Sequence, residues 1–242
     1  MKKVFKKLVV FALSIGVYIC YASCSILFPV KGNGNIETWE RKLPKFEKIY
    51  SSGTAEVRFH TSTDTYRVEV TVDENLSEYV EVFSKNRTLN IRTKIGHSCS
   101  FTTFLVDVYC PVLSGVSISG SGSFESIDNM ITSSFESNVS GSGKIEGTID
   151  CSNFSARISG SGQISVSGKS TDFDVIISGS GHFNGDDFQV KNAYANISGS
   201  GNVNICVEEY LTARISGSGV IGYYGDPTVD AKISGSGKVK KM

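Results

Sequence analysis

The chain has 242 residues, 25 of them glycine, and its 24 basic and 24 acidic residues give a formal net charge of zero. This length suits one large β domain or two smaller ones. The balanced charge, and the lack of Lys/Arg clusters interleaved with aromatic residues, argue against a nucleic-acid-binding protein, so we expect no nucleic-acid partner.

The N-terminus is typical of a bacterial secretion signal. Lysines at positions 2, 3, 6 and 7 precede an apolar run over residues 8–19, and small residues precede Cys24. A basic start, a short apolar centre and small residues at the cleavage site define such a signal. The small residues before Cys24 resemble a lipobox, although Tyr21 stands where Leu is usual. We therefore predict a lipoprotein signal peptide over residues 1–23, lipidation of Cys24 and a tether over residues 24–35, with plain secretion as the alternative.

This signal also predicts where the protein is located. Export followed by lipidation would anchor the protein to a membrane. Ser25 follows Cys24 without an Asp pair, which favours the outer membrane. We expect the protein either at the cell surface or on the periplasmic face of that membrane.

Residues 36–112 form a series of irregular strands. Tyr66, Val68, Val70 and Val72 alternate with polar residues, as one half-buried strand requires. We interpret this part as irregular N-terminal β coils that cap a solenoid, as terminal repeats must. A separate small β domain is the alternative.

A five-residue motif recurs through residues 113–242. Ile-Ser-Gly-Ser-Gly, with Val for Ile in the second copy, starts at residues 118, 139, 158, 177, 197, 215 and 233. Successive copies are 18 to 21 residues apart. Self-similarity at a fixed period is the sequence signature of a repeat architecture, in which stacked repeats bury a shared core.

Each repeat contains short strands joined by a bend. Phe154, Ala156 and Ile158 alternate with polar residues before Gly-Ser-Gly, and the series Tyr194, Ala195 and Ile197 precedes a later bend. Glycine adopts backbone angles that other residues avoid and allows close approach of a neighbouring chain. We therefore predict an all-β parallel solenoid of ~19-residue repeats with coils about 4.8 Å apart. Whether one repeat forms a full coil or half of one stays open. The predicted turn-forming glycines are Gly120, Gly122, Gly141, Gly143, Gly160, Gly162, Gly179, Gly181, Gly199, Gly201, Gly217, Gly219, Gly235 and Gly237.

The order of motifs along the chain is similar to a known family. Gly-Asn-Gly-Asn at 32–35, Phe-Glu-Lys-Ile at 46–49, Tyr-Arg-Val-Glu-Val at 66–70, Asp-Glu-Asn-Leu at 73–76 and Leu-Asn-Ile at 89–91 precede the repeats. Over about residues 33–240 the chain resembles the adhesin head GIN domain family of Bacteroidota envelope proteins. The resemblance implies a right-handed β-helix related to pectin lyases and a role in cell adhesion. It implies no catalytic residues.

Residues that carry chemistry are few. His60, His97 and His182 lack metal-ligand spacing, and no phosphate-binding loop fits, so we expect no cofactor and no metal. Cys151 and Cys206 lie three repeats apart and are predicted to be separate thiols. Cys99 and Cys110 flank a strand, where either a disulfide or two thiols would fit.

A polysaccharide lyase or hydrolase is the alternative that requires catalytic acids. Stacked coils bring together residues one repeat apart, so Asp187 and Glu208 are candidate neighbours for acid/base work. Solvated turns are the other interpretation of these acids. The candidate acidic pairs are Asp172 with Asp174, Asp186 with Asp187, and Glu208 with Glu209.

The outward positions are mostly Ser, Thr, Asn, Asp and Lys. Such a surface suits extended partners such as glycans or peptides and equally suits plain solubility. Tyr223, Tyr224 and Trp39 are candidate ligand contacts, with ordinary packing as their alternative role. We predict a non-enzymatic envelope lipoprotein that acts as an adhesin or binding module for glycans or host or cell-surface proteins. A periplasmic structural or sensing scaffold is the alternative. The last coil, residues 233–239, favours pairing with another copy into a homo-oligomer, unless Lys240 and Lys241 block that edge.

Overall fold

A computed structural model describes residues 29–242, which consist almost entirely of β-strands. The predicted signal peptide and Cys24 lie outside the described residues. The strands are β1 (Val30–Lys31), β2 (Ile36–Lys42), β3 (Lys48–Gly53), β4 (Glu56–Thr61), β5 (Arg67–Asp73), β6 (Val80–Lys85), β7 (Thr88–Thr93), β8 (Cys99–Ser100), β9 (Phe104–Cys110), β10 (Gly115–Gly120), β11 (Ser123–Ser126), β12 (Met130–Ile131), β13 (Ser134–Gly141), β14 (Lys144–Gly160), β15 (Gln163–Gly179), β16 (His182–Gly199), β17 (Asn202–Gly217), β18 (Val220–Tyr224), β19 (Thr228–Gly235) and β20 (Lys238–Lys241). A short 3₁₀ helix, η1 (Glu74–Tyr79), lies between β5 and β6. None of the described residues forms a helix long and apolar enough to span a membrane.

One sequence repeat forms one complete coil. β14 runs parallel to β15 along its whole length, with Gly160 opposite Gly179, an offset of 19 residues. β15, β16 and β17 continue the stack in the same direction. The result is a right-handed parallel β-solenoid of about seven turns, which confirms the predicted fold class.

Inward-facing side chains stack in rows along the solenoid axis. Ile158, Ile177 and Ile197 are opposite one another on successive coils, and each is at most 2% exposed. Full burial of such a side chain stabilises the fold by about 1.5–3 kcal/mol. A single repeat has no partner against which to bury these residues, so the fold depends on stacking.

The two glycines of each motif have different physical roles. Gly160 has φ of +113°, a left-handed conformation in which a side chain is strained. Gly162 instead lies against the preceding coil, and a Cβ at this position would stand 2.3 Å from Val139 Cγ1. The first glycine therefore allows the backbone to turn, and the second allows adjacent coils to approach each other.

The solenoid begins with an excursion of the chain. β3 and β4 form a coil that stacks directly on β10 and β11, with Gly53 opposite Gly120. The segment between β4 and β10 folds back over the end of that coil, on the side opposite β10 and β11, where β7 pairs with β3 and β9 pairs with β4. Antiparallel pairing within the described residues occurs only here, among β2, β5 and β9 and between β6 and β7. These strands and η1 cover the end of the apolar core, and Val70 and Leu76 are fully buried.

Candidate binding face

A groove lies on the outer surface of the coils formed by β13 to β17. It has a volume of 560 Å³, and we call it the tyrosine groove. Its lining residues are Ser134, Asn153, Phe154, Ser155, Asp172, Phe173, Asp174, Asn192, Ala193, Tyr194, Tyr210 and Thr212.

Parallel register positions the side chains of the groove. Outward positions on neighbouring coils align, so Asp174 lies between Ser155 and Tyr194. In the adjacent row Asn192 lies between Asp172 and Tyr210. The Asn192 Nδ2 donates a hydrogen bond of 3.0 Å to Asp172 Oδ1. The groove is thus formed from repeats that are separate in sequence and adjacent in space.

Two tyrosines leave much of their surface free for contact. Tyr194 is 39% exposed and Tyr210 is 59% exposed. Ala193, between the outward positions, occupies the row in which the three preceding coils carry Phe135, Phe154 and Phe173. The floor of the groove is therefore apolar, and its rim is aromatic and polar.

Asp174 is the most unusual polar group in the groove. Its Oδ1 is buried and accepts no hydrogen bond from any described residue. Burial raises the pKa of this carboxyl group, and the positive charge of Arg157 acts in the opposite direction. A half-buried carboxylate with an unused acceptor is poised to accept a hydrogen bond from a ligand.

The three aromatic residues predicted as ligand contacts lie elsewhere. Trp39 packs against the core at the capped end, where its Nε1 donates a hydrogen bond of 3.2 Å to Ser77 Oγ. Tyr223, on β18 near the opposite end, also packs against the core, and the neighbouring Tyr224 is half-buried. The fold therefore brings Trp39 together with neither tyrosine, and none of the three lines the tyrosine groove.

Asp187 and Glu208, the candidate catalytic neighbours, line two different grooves. Asp187 faces a groove with Glu125 and Glu146, whereas Glu208 faces one with Lys169. The reason is an irregularity in β16: Gly185 lies opposite Ile205, but the next pair is Gln189 with Cys206, where an uninterrupted register would have placed Asp186. Of the other acidic pairs, Asp172 and Asp174 share the tyrosine groove, and Asp186 lines the same groove as Asp187.

The cysteines and histidines of the described residues form neither a disulfide nor a metal-binding group. All four cysteines in residues 29–242 are thiols, so Cys99 and Cys110 form no disulfide. Burial raises the pKa of the Cys110 thiol to about 12. His60 pairs with Asp107 at 2.8 Å. Within the described range no group of three or more His, Cys, Asp or Glu side chains has a metal-binding arrangement.

Sequence reasoning missed the two tyrosines of the groove. The sequence pattern places Tyr194 in an apolar series with Ala195 and Ile197, but in the structure Ala193, Ala195 and Ile197 face the core and Tyr194 faces solvent. The signal was present in the register of the repeats, since Tyr194 occupies the outward position held by Ser155 and Asp174.

Comparisons with known proteins agree on the fold. A family model described as "Putative auto-transporter adhesin, head GIN domain" matches residues 45–227. A solved structure named as a putative lipid binding protein from Parabacteroides distasonis ATCC 8503 is 29% identical, with a TM-score of 0.75, over 89% of this chain and 100% of that one. A putative adhesin from Parabacteroides merdae ATCC 43184 is 25% identical, with a TM-score of 0.73, over 88% and 98%. A putative adhesin from Bacteroides fragilis NCTC 9343 is 19% identical, with a TM-score of 0.82, over 88% and 100%. No curated protein sequence matches the chain.

Proposed function

Because this chain belongs to the family described as "Putative auto-transporter adhesin, head GIN domain", we propose that it is a non-enzymatic envelope protein that binds glycan or protein ligands on its solenoid surface. The observation that carries the proposal is the tyrosine groove, which combines two exposed aromatic rings with one unpaired hydrogen-bond acceptor, Asp174 Oδ1. Its 560 Å³ lies within the range of about 300–1,000 Å³ that is usual for ligand sites. Asp187 and Glu208, the candidate acid/base neighbours, line two different grooves, which supports a binding role more than the enzyme alternative.

Lipidation of Cys24 is the anchor that fits this function. The chain that follows Cys24 enters the fold at the capped end of the solenoid. There, Gly34 N–H donates to Asp73 Oδ1 at 3.0 Å and Asn33 N–H donates to Asn75 Oδ1 at 3.0 Å. Asn75 Nδ2 in turn donates to the Lys31 carbonyl at 2.9 Å. These bonds hold the start of the domain firmly against its cap.

An anchor at Cys24 would leave the tyrosine groove on the far side of the capped end. Five strand spacings separate β7, at the capped end, from β15, in the middle of the groove. At about 4.8 Å per spacing the separation is about 24 Å. A lipid-anchored copy would therefore hold its capped end nearer the membrane and present the groove farther out.

Accessibility on intact cells tests this proposal. Cells that express the full chain would be probed with an antibody against the solenoid, with a periplasmic protein as the negative control and a Cys24→Ser chain to test the anchor. We expect antibody binding to intact cells, loss of cell-associated protein for Cys24→Ser, and attachment of expressing cells to ligand-coated surfaces. Protein that is protected until the cells are lysed would overturn the adhesin proposal and favour the periplasmic scaffold.

A further inference from the structure

We propose that the tyrosine groove binds a neutral oligosaccharide that lies along the solenoid axis. This inference rests on the proposed binding function and names the ligand class and the residues that bind it. Three properties of the groove support it: its length, its exposed aromatic rings, and its unpaired acceptor in a lining without cations.

The groove is long enough for several sugar rings. Its outer row runs from Ser134 on β13 through Asp172 on β15 to Tyr210 on β17. Four strand spacings of about 4.8 Å make this row about 19 Å long. An extended polymer parallel to the axis would meet the same coil spacing at each step, whereas a compact ligand would leave much of the groove open.

The tyrosines are arranged to stack on sugar rings. Tyr194 and Tyr210 lie on adjacent coils and in adjacent rows, with Ala193 between them at the floor. An aromatic ring offers a large apolar face at low cost in conformational entropy, and its hydroxyl group remains free for hydrogen bonding. The C–H face of a pyranose ring is the complementary surface, while its hydroxyl groups would point toward the polar rim.

The polar groups of the groove match sugar hydroxyl donors. Asp174 Oδ1 has no protein partner although it is buried, and such a group is costly to leave unsatisfied. A ligand hydroxyl donating to Asp174 would supply the missing hydrogen bond. Asp172 and Asn192 are already hydrogen-bonded to each other, which fixes their remaining donor and acceptor sites.

Charge narrows the ligand to neutral sugars. The lining contains the carboxyl groups of Asp172 and Asp174 and no Lys or Arg. Arg157 lies outside the lining and is the positive charge that acts on Asp174. Arg157 Nη1 also donates a hydrogen bond of 2.9 Å to Ser155 Oγ at the lining, so this residue offsets part of the Asp174 charge. The lining itself offers uronic acids, sialic acids and anionic lipid headgroups two carboxyl groups and no cation, so we expect these ligands to bind more weakly than neutral sugars.

Immobilised glycans test the inference directly. Detergent-purified full-length protein would be applied to mannan, galactan and chitin as neutral probes, to polygalacturonate and heparin as anionic probes, and to phosphatidylglycerol vesicles as a lipid probe. We expect retention on at least one neutral glycan and at least a tenfold loss of affinity for Tyr210→Ala and for Asp174→Ala. Tyr50→Ala is the matched control, since Tyr50 is 38% exposed on the same sheet but lines a different groove. Circular dichroism would verify that each variant is folded.

The outcomes separate this inference from the broader proposal. Retention on no neutral glycan, preference for an anionic glycan or for lipid vesicles, or equal affinity of the groove variants and Tyr50→Ala would each overturn the saccharide assignment. If expressing cells still attach to surfaces while the groove variants behave as wild type, the adhesin function stands and this groove is not its site. If the full chain is inaccessible on cells but its groove binds neutral glycan, the adhesin function fails and the site assignment stands.

Discussion

Replacing Gly179 by Ala should strongly destabilise the solenoid. Gly179 has φ of +118°, and an added Cβ would stand 2.6 Å from the carbonyl oxygen of Gly160 on the preceding coil. Backbone strain of this kind costs about 1–3 kcal/mol, and forcing an extra methyl group into a packed site costs about 1–3 kcal/mol more. The clash is with backbone atoms of Gly160, so rotation of a side chain cannot relieve it. We expect the free energy of unfolding to fall by about 2–6 kcal/mol.

Urea unfolding followed by circular dichroism measures this change. Ser178→Ala is the matched control because Ser178 is exposed in the same turn, and such surface substitutions change stability by less than about 0.5 kcal/mol. Fluorescence of Trp39, which packs at the capped end, reports whether that end unfolds with the repeats. A loss for Gly179→Ala no larger than that of Ser178→Ala would refute the assignment of this glycine to a strained, closely packed turn.

Three further predictions concern the core and its buried groups. Ile177 is fully buried, so Ile177→Ala should lower the free energy of unfolding by about 2–5 kcal/mol, measured in urea. Ile233 lies in the same row but is 44% exposed, so Ile233→Ala should lower it much less. Equal losses for the two variants would contradict the stacking of this row. Burial raises the pKa of Asp73, but hydrogen bonds from Thr102, Gly34 and Thr103 outweigh it and lower the pKa below the ordinary 3.8. The stability that ionised Asp73 contributes is therefore present above the pKa of the unfolded chain and is lost as the pH falls through the lower pKa of the folded protein. Asp73→Asn should reduce the loss of stability at acid pH in a curve of unfolding free energy against pH. With a pKa of about 12, Cys110 should resist iodoacetamide at pH 8 until the protein is unfolded; rapid labelling of the native protein at this residue, read by mass spectrometry, would show that it is not buried.

The repeat motif made the fold predictable because its fixed period and the alternation of apolar and polar residues within each repeat both indicate stacked β-strands. Each coil has the same order of inward Ile, turn-forming Gly and outward Ser, so aligning the copies of the motif predicts the register between neighbouring coils. The resemblance to the head GIN domain family rested on motifs before the array, and the family match confirms it. The N-terminal excursion was less predictable: β3 and β4 stack on β10 and β11 across a long intervening segment, a pairing that no local pattern encodes.

The candidate site was harder to predict than the fold. Trp39 and Tyr223, two of the candidate ligand contacts, both pack against the core, and their role in binding stays a prediction. Asp187 and Glu208 are separated because one irregular stretch of β16 shifts the register. Position along the chain gives the spacing of such residues but not the bulge that moves them apart.

The period, the parallel stacking and the positions of the motif glycines follow from the amino-acid sequence, because they depend on local patterns that recur in every repeat. Tertiary structure alone decided that one repeat makes a full coil, that antiparallel strands close one end, and that Asp174, Tyr194 and Tyr210 share a groove. The physical reason is that an outward side chain gains its neighbours from the coils above and below it. Its surroundings therefore depend on the register between strands about 20 residues apart. Local sequence patterns indicate that register for the buried side chains but not for the outward ones.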